Sequence, residues 1–326
     1  MHGFLYHTFF ALYFTVSVFS GWSQTKVGLL LDDLDQDFWY MSKEYFEQRG
    51  KEIGLEVLSA GADNSPDNQI NQAKDFISKG IKVLVLGSVD DNTSQQIVTL
   101  AKAANIKVIA MERFIRNADI DGYVAYDNMK MGELQTEYIT KIKPTGSYIL
   151  IGGPLTDVNS RMVHDGQMKI LNKFAGNINI VWDKPVAEWT DMEAYMSLEN
   201  YYAENPGATP DAILTSSDIL SAGAIMSLET KGMDGNVTLA GLQADGSTYI
   251  NLIKGKQTLS IFKSPKLLGI TCADNALLLS QGQNLANVTR NMQNGKKAVP
   301  SILLTPVLID QTNVNILVQE GMVKKK

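Results

Sequence analysis

The chain has 326 residues, 44% of them hydrophobic and 20% charged, enough apolar material for one large or two medium globular domains. A net charge of −6 and a pI near 5.2 argue against a nucleic-acid surface. One cysteine and three histidines rule out an intramolecular disulfide and offer no His–Cys metal cluster, so neither a metal nor another cofactor is expected.

The first 24 residues contain no Lys, Arg, Asp or Glu. Their apolar run, Phe9 to Phe19, is shorter than the roughly 20 residues a bilayer span needs, and small residues follow it. This is the layout of a signal peptide over residues 1–24, with an uncleaved anchor as the alternative. Either places the remainder outside the cytoplasm.

From Lys26 the pattern is strand then helix, repeated. Short apolar runs at Lys26–Leu31, Leu55–Ala60, Val83–Gly87 and Lys107–Met111 read as strands, with amphipathic helices between them. Ser65-Pro66 suits a helix start. Gly122–Asp127 is a fifth strand. The alternation then restarts, with strands at Tyr148–Gly153, Ile178–Trp182, Ala212–Thr215, Val237–Gly241 and Leu259–Lys263, and one or two more within Ile302–Ile309. Cys272 falls in an apolar helical stretch and reads as a buried thiol. Continuous apolar strands alternating with helices predict parallel sheets covered on both faces, an α/β fold of two lobes without a flexible linker. Right-handed crossovers bring every strand-to-helix loop to the same end of a sheet, where ligands sit.

Those loops carry the candidate chemistry. Glu112-Arg113 closes the fourth strand; alone it reads first as a surface ion pair, but at a sheet mouth it suits a polar ligand, the arginine offering a planar five-donor fork. Ser216-Ser217-Asp218 lacks the glycine-flanked elbow and histidine partner of a nucleophile, and Gly152-Gly153 lacks both phosphate-loop spacings. A hydrolytic Glu112–Asp157 pair has no spacing argument behind it. Polar loops with tryptophans at 39 and 189 suit a sugar, whose hydroxyls take hydrogen bonds while its C–H face packs on an aromatic ring; either tryptophan alone reads equally as core.

The segments LDDLDQDFW (31–39), ERFIRNADIDGYVAYDNMKMGELQ (112–135), ILIGGPLTDVNSRMVHDGQMKIL (149–171), AILTSSDILSAGAI (212–225), GLQADG (241–246), IFKSP (261–265) and PSILLTPVLID (300–310) resemble periplasmic sugar-binding proteins of the ribose-binding type, and among them the xylose-binding group. The resemblance runs from Lys26 nearly to the C-terminus. It implies two Rossmann-like lobes, residues 25–128 plus 265–303 and residues 129–264 plus 304–326, joined by three hinge crossings and closing on ligand. It implies binding positions at Phe38, Trp39, Glu112, Arg113, Asp157, Asn159, Trp189 and Lys263. It also marks three departures, His164 for an arginine, Ser217 for an asparagine and Gln243 for an aspartate. Each shortens a side chain or removes a charge, at roughly 1.5–3 kcal/mol per lost charged hydrogen bond. Binding role carries over better than ligand identity. The expectation is a non-enzymatic, monomeric, exported protein that delivers a pentose-like monosaccharide to the membrane permease of an ABC transporter. The alternative is the same fold signalling to a membrane sensor histidine kinase.

Overall fold

A computed structural model describes residues 24–295 and 297–323. The expected signal segment and the terminal lysines 324–326 lie outside these residues, apart from Gln24. The first sheet is built by β1 (Thr25–Leu31), β2 (Leu55–Gly61), β3 (Val83–Leu86), β4 (Lys107–Met111) and β5 (Gly122–Tyr126), with α1 (Asp37–Glu52), α2 (Pro66–Ser78) and α3 (Asp91–Ala103) between them. The chain then leaves through α4 (Asn128–Ile142) into β6 (Gly146–Gly152), α5 (Val158–Leu171), β7 (Ile178–Pro185), α6 (Asp191–Glu204), β8 (Ala212–Thr215), α7 (Asp218–Thr230), β9 (Thr238–Ala240), α8 (Gly246–Ile253) and β10 (Leu259–Phe262). It returns with α9 (Pro265–Ser280), β11 (Arg290–Asn294) and β12 (Lys297–Leu304), then crosses once more into β13 (Val307–Asp310) and α10 (Asn315–Gln319).

The seven-stranded sheet runs β11-β12-β5-β4-β3-β1-β2 and the six-stranded sheet β13-β10-β9-β8-β6-β7. The chain therefore passes between the sheets three times, after Tyr126, Phe262 and Leu304. Two α/β lobes result, as expected, but neither sheet is purely parallel. β11 pairs antiparallel with β12 across a turn at Gly295 (φ 61°), and β13 runs antiparallel to β10. The stretch 302–309 thus holds parts of two strands in different sheets. β11 and α10 were not foreseen: RNMQN has no apolar alternation, and α10 is only five residues long.

The elements form for local reasons. Ser65 and Ser264 cap α2 and α9, each accepting from the backbone N–H three residues on, with proline at the first helical position. β1, β3, β4 and β5 are buried on both faces, as strands under two helix layers must be. Cys272 is fully buried in α9, where desolvation pushes its thiol well above its ordinary value, so it is inert.

Candidate functional site

The C-terminal strand ends of the two sheets face each other. A pocket of 670 Å³ of open space lies between them. The first lobe supplies Phe38 and Trp39 from the start of α1, and Glu112 and Arg113 from the end of β4. The second supplies Asp157 and Asn159 at the start of α5, Trp189 after β7, Ser217 after β8, Gln243 after β9 and Lys263 after β10. Ten of the eleven expected positions thus share one cavity.

Arg113 is held rather than free. Its Nη1 donates to Asp32 Oδ2 (2.5 Å) and to the Ser88 carbonyl (2.7 Å), and its Nε lies 3.6 Å from Asp157 Oδ2 across the cleft. Its guanidinium stands 5.6 Å from the Trp39 ring centre. Burial pushes the Asp32 carboxyl above the usual carboxylate range, and Arg113 pulls it partly back. Glu112, 3% exposed, has φ 63°, a left-handed conformation rare for a non-glycine residue and typical of functional sites. Its Oε1 accepts from Lys263 Nζ at 2.7 Å, and that ammonium sits 4.7 Å from the Phe38 ring centre. Its carbonyl accepts from Asn159 Nδ2 of the other lobe at 3.1 Å.

Two expected residues double as helix caps. Asp157 Oδ1 accepts from the Asn159 N–H (2.8 Å), which leaves Oδ2 for Arg113. Ser217 Oγ accepts from the Leu220 N–H (3.3 Å), so the serine keeps α7 capped where the resemblance implied an asparagine. Gln243 also has positive φ, 93°, and its N–H donates to the Ile261 carbonyl at 2.8 Å.

His164 is the exception. Its Nε2 lies 3.0 Å from Asp183 Oδ2 on the outside of the second lobe, and it does not line the pocket. On a helix each residue turns about 100°; Ser160 and Val163 face the cleft, and His164 is rotated away from it. An apolar side chain, Val163, therefore stands where a charged one was anticipated.

Sequence reasoning missed Gln36, Asn128, Met131, Ser160, Val163, Ile219 and Leu242, and weighed Ser216 only as a nucleophile. Asn128 matters most: it is 2% exposed, begins α4 just after the first hinge crossing, and follows a strand as the other site loops do. Asp32, the anchor of Arg113, was also passed over; its signal was a place directly after β1.

The polar inventory shows what the cavity can do. Glu112 Oε2, Asn128 Nδ2, Asn159 Oδ1 and Ser216 Oγ are buried, line the pocket and have no hydrogen-bond partner among the described residues. Buried polar groups normally have partners, so an unpaired ring of donors and acceptors beside aromatic walls is a hydroxyl-binding surface. Among the described residues no group of three or more His, Cys, Asp or Glu could hold a metal, and no helix is long and apolar enough to cross a membrane.

Fold and site together define a two-lobe, ligand-closing binding protein. The periplasmic binding protein domain profile matches residues 27–284, and the chain belongs to that family. It is 33% identical to a D-xylose-binding periplasmic protein of Haemophilus influenzae over 304 residues, 92% of this chain and 91% of that one. It is 34% identical to the D-xylose-binding periplasmic protein of Escherichia coli over 306 residues, 93% and 92% of the two chains. Among solved structures, an ABC transporter solute-binding protein of Clostridium phytofermentans with bound β-D-glucose superposes with a TM-score of 0.84 at 26% identity, over 92% of this chain and 99% of that one. The curated relatives are sugar-binding periplasmic proteins rather than enzymes.

Proposed function

We propose that the protein binds a neutral aldose in the cleft, pentose-like in its inner ring, and hands it to the membrane permease of an ABC transporter as a single exported chain. The lobes are divided at 25–128 plus 265–303 and 129–264 plus 304–326. The observation that carries the reading is the set of four unpaired buried polar atoms among Phe38, Trp39 and Trp189. Hydroxyls of a sugar ring would satisfy them, and its C–H face would cover the rings. The D-xylose-binding relatives support the pentose assignment. Val163 in the wall and a capping Ser217 both favour an uncharged ligand over a sugar acid.

Thermal unfolding with D-xylose, L-arabinose, D-ribose, D-glucose and D-galacturonate tests this. A sugar at 100 times its Kd adds about 2.7 kcal/mol, or about 4 °C for a chain of this length. No shift with any neutral sugar refutes the reading. Arg113→Ala should abolish the shift. Because that change strips buried Asp32 of its partner, Arg113→Lys is its companion: it keeps a charge beside Asp32 without the fork, and should fold normally while binding at least tenfold more weakly.

A further inference from the structure

Outside the sugar pocket the cleft continues into a second, wider chamber of 1730 Å³ of open space. The room it offers to a water-sized sphere, 780 Å³, lies within the roughly 300–1,000 Å³ that small-molecule sites usually hold. The two share Gln36, Arg113, Asp157 and Trp189, so the chambers adjoin, with the half-buried indole of Trp189 in the common wall. Gly153 seats that indole: a Cβ there would lie 2.0 Å from Trp189 Cη2. The lobes already touch around the inner pocket, through Asn159 and the Glu112 carbonyl, yet the outer chamber stays wide.

The chemistry of the chamber fits more sugar. Asp32 is 2% exposed and its Oδ1 has no partner among the described residues; Asp90 Oδ2 on the same lining is also unpaired. Three arginines line the chamber against five acids. Arg113 is held by Asp32, Arg116 by Asp91 (2.8 Å from Nε), and Arg161 donates to the Leu155 carbonyl. With its cations engaged and acids in excess, the chamber disfavours an anion and offers acceptors to hydroxyls. Leu155, 62% exposed, stands on its rim as an apolar contact with no packing role.

We propose that this chamber is a second sugar subsite, so that the protein takes a neutral disaccharide or longer oligosaccharide with one ring inside and the next between Trp189, Leu155 and Asp90. This rests on the sugar reading of the inner pocket. Calorimetric titration with D-xylose, D-glucose and their β-1,4-linked dimers tests it. For the sugar that the inner pocket accepts, the dimer should bind at least tenfold tighter than the monomer. Leu155→Ser, and Asn92→Trp, which puts a bulky ring into the chamber, should erase that gain and leave the monomer affinity unchanged. A dimer that binds no better than its monomer, or a gain that survives both variants, overturns the subsite and leaves the inner pocket standing. Failure of every monomer and dimer overturns the sugar reading itself.

Discussion

Glu112 does two jobs that its place in the chain could not announce. Its left-handed backbone turns its carbonyl toward Asn159 of the opposite lobe, and its carboxylate neutralises Lys263 in a buried pair. Removing one member of a buried pair costs about 3–5 kcal/mol, because the remaining charge is stranded. Glu112→Ala should lower stability by about 3 kcal/mol in urea unfolding and eliminate sugar binding; an unaltered unfolding midpoint would show that Lys263 finds water instead. Asp218, below the pocket, is another buried acid. It accepts from the Ala244 N–H (2.7 Å), Thr248 Oγ1 (2.9 Å), Gln257 Nε2 (2.6 Å) and Ser260, and so fixes the turn that carries Gln243. Burial, with a contribution from Asp245, pushes its carboxyl from 3.8 to about 7. The folded state then holds this proton more tightly than the unfolded state. Its contribution to stability is present in full below about pH 4 and is lost as pH rises to about 7, with no further change above. Urea unfolding at pH 5 and pH 8 should show the wild type weaker at pH 8, and Asp218→Asn should reduce that difference. Equal pH slopes in the two proteins would remove Asp218 as the source.

At the level of elements, the second lobe's wall of the pocket depends on how closely two helices approach. A Cβ on Gly132 of α4 would lie 2.1 Å from the Val163 carbonyl oxygen, and one on Gly166 of α5 the same distance from that of Met129. The two glycines let the backbones touch, and the same stretch of α4 and α5 presents Met131, Ser160 and Val163 to the cleft. The α6–α7 pair uses the same device at Gly223, whose Cβ would lie 1.9 Å from the Asp191 carbonyl oxygen, away from the pocket. Forcing an extra methyl into such a contact costs typically 1–3 kcal/mol. Gly132→Ala should therefore lose about 2 kcal/mol and also weaken sugar binding, whereas Gly223→Ala should lose comparable stability and keep its affinity. If both variants bind sugar like the wild type, helix spacing does not set the pocket.

For the whole molecule, the contacts that tie the lobes among the described residues include the Asn159–Glu112 hydrogen bond, the 3.6 Å Arg113–Asp157 approach and the Lys263–Glu112 pair at the hinge, with Tyr45 of α1 donating to the Glu320 carbonyl beyond the cleft. Tyr126 adds a hinge tie, donating to the Ser264 carbonyl at 3.0 Å. A ligand that touches both lobes shifts such an equilibrium toward closure by its differential affinity for the closed form. Small-angle scattering should show the radius of gyration falling as D-xylose saturates the protein. A constant radius across the titration would mean that the lobes do not move.

The alternation of apolar runs and amphipathic helices was enough to read two α/β lobes, because burial on both faces leaves a continuous hydrophobic signature. Loop positions after strands singled out Glu112-Arg113 and the tryptophans at 39 and 189; the family resemblance supplied Phe38, Asn159, Ser217, Gln243 and Lys263, which line the same cavity. What escaped were features that depend on direction. The antiparallel β11 and β13 are decided by a turn and a hinge crossing, and a strand's direction leaves no periodic mark. His164 and Val163 are adjacent in sequence, but about 100° of helical rotation gives the wall to the valine and the surface to the histidine. The glutamate that opened as a surface ion pair with Arg113 is bonded to Lys263, 151 residues along the chain, while Arg113 is bonded to Asp32, 81 residues before it. Such long-range pairing is chosen by which strand ends the topology brings together.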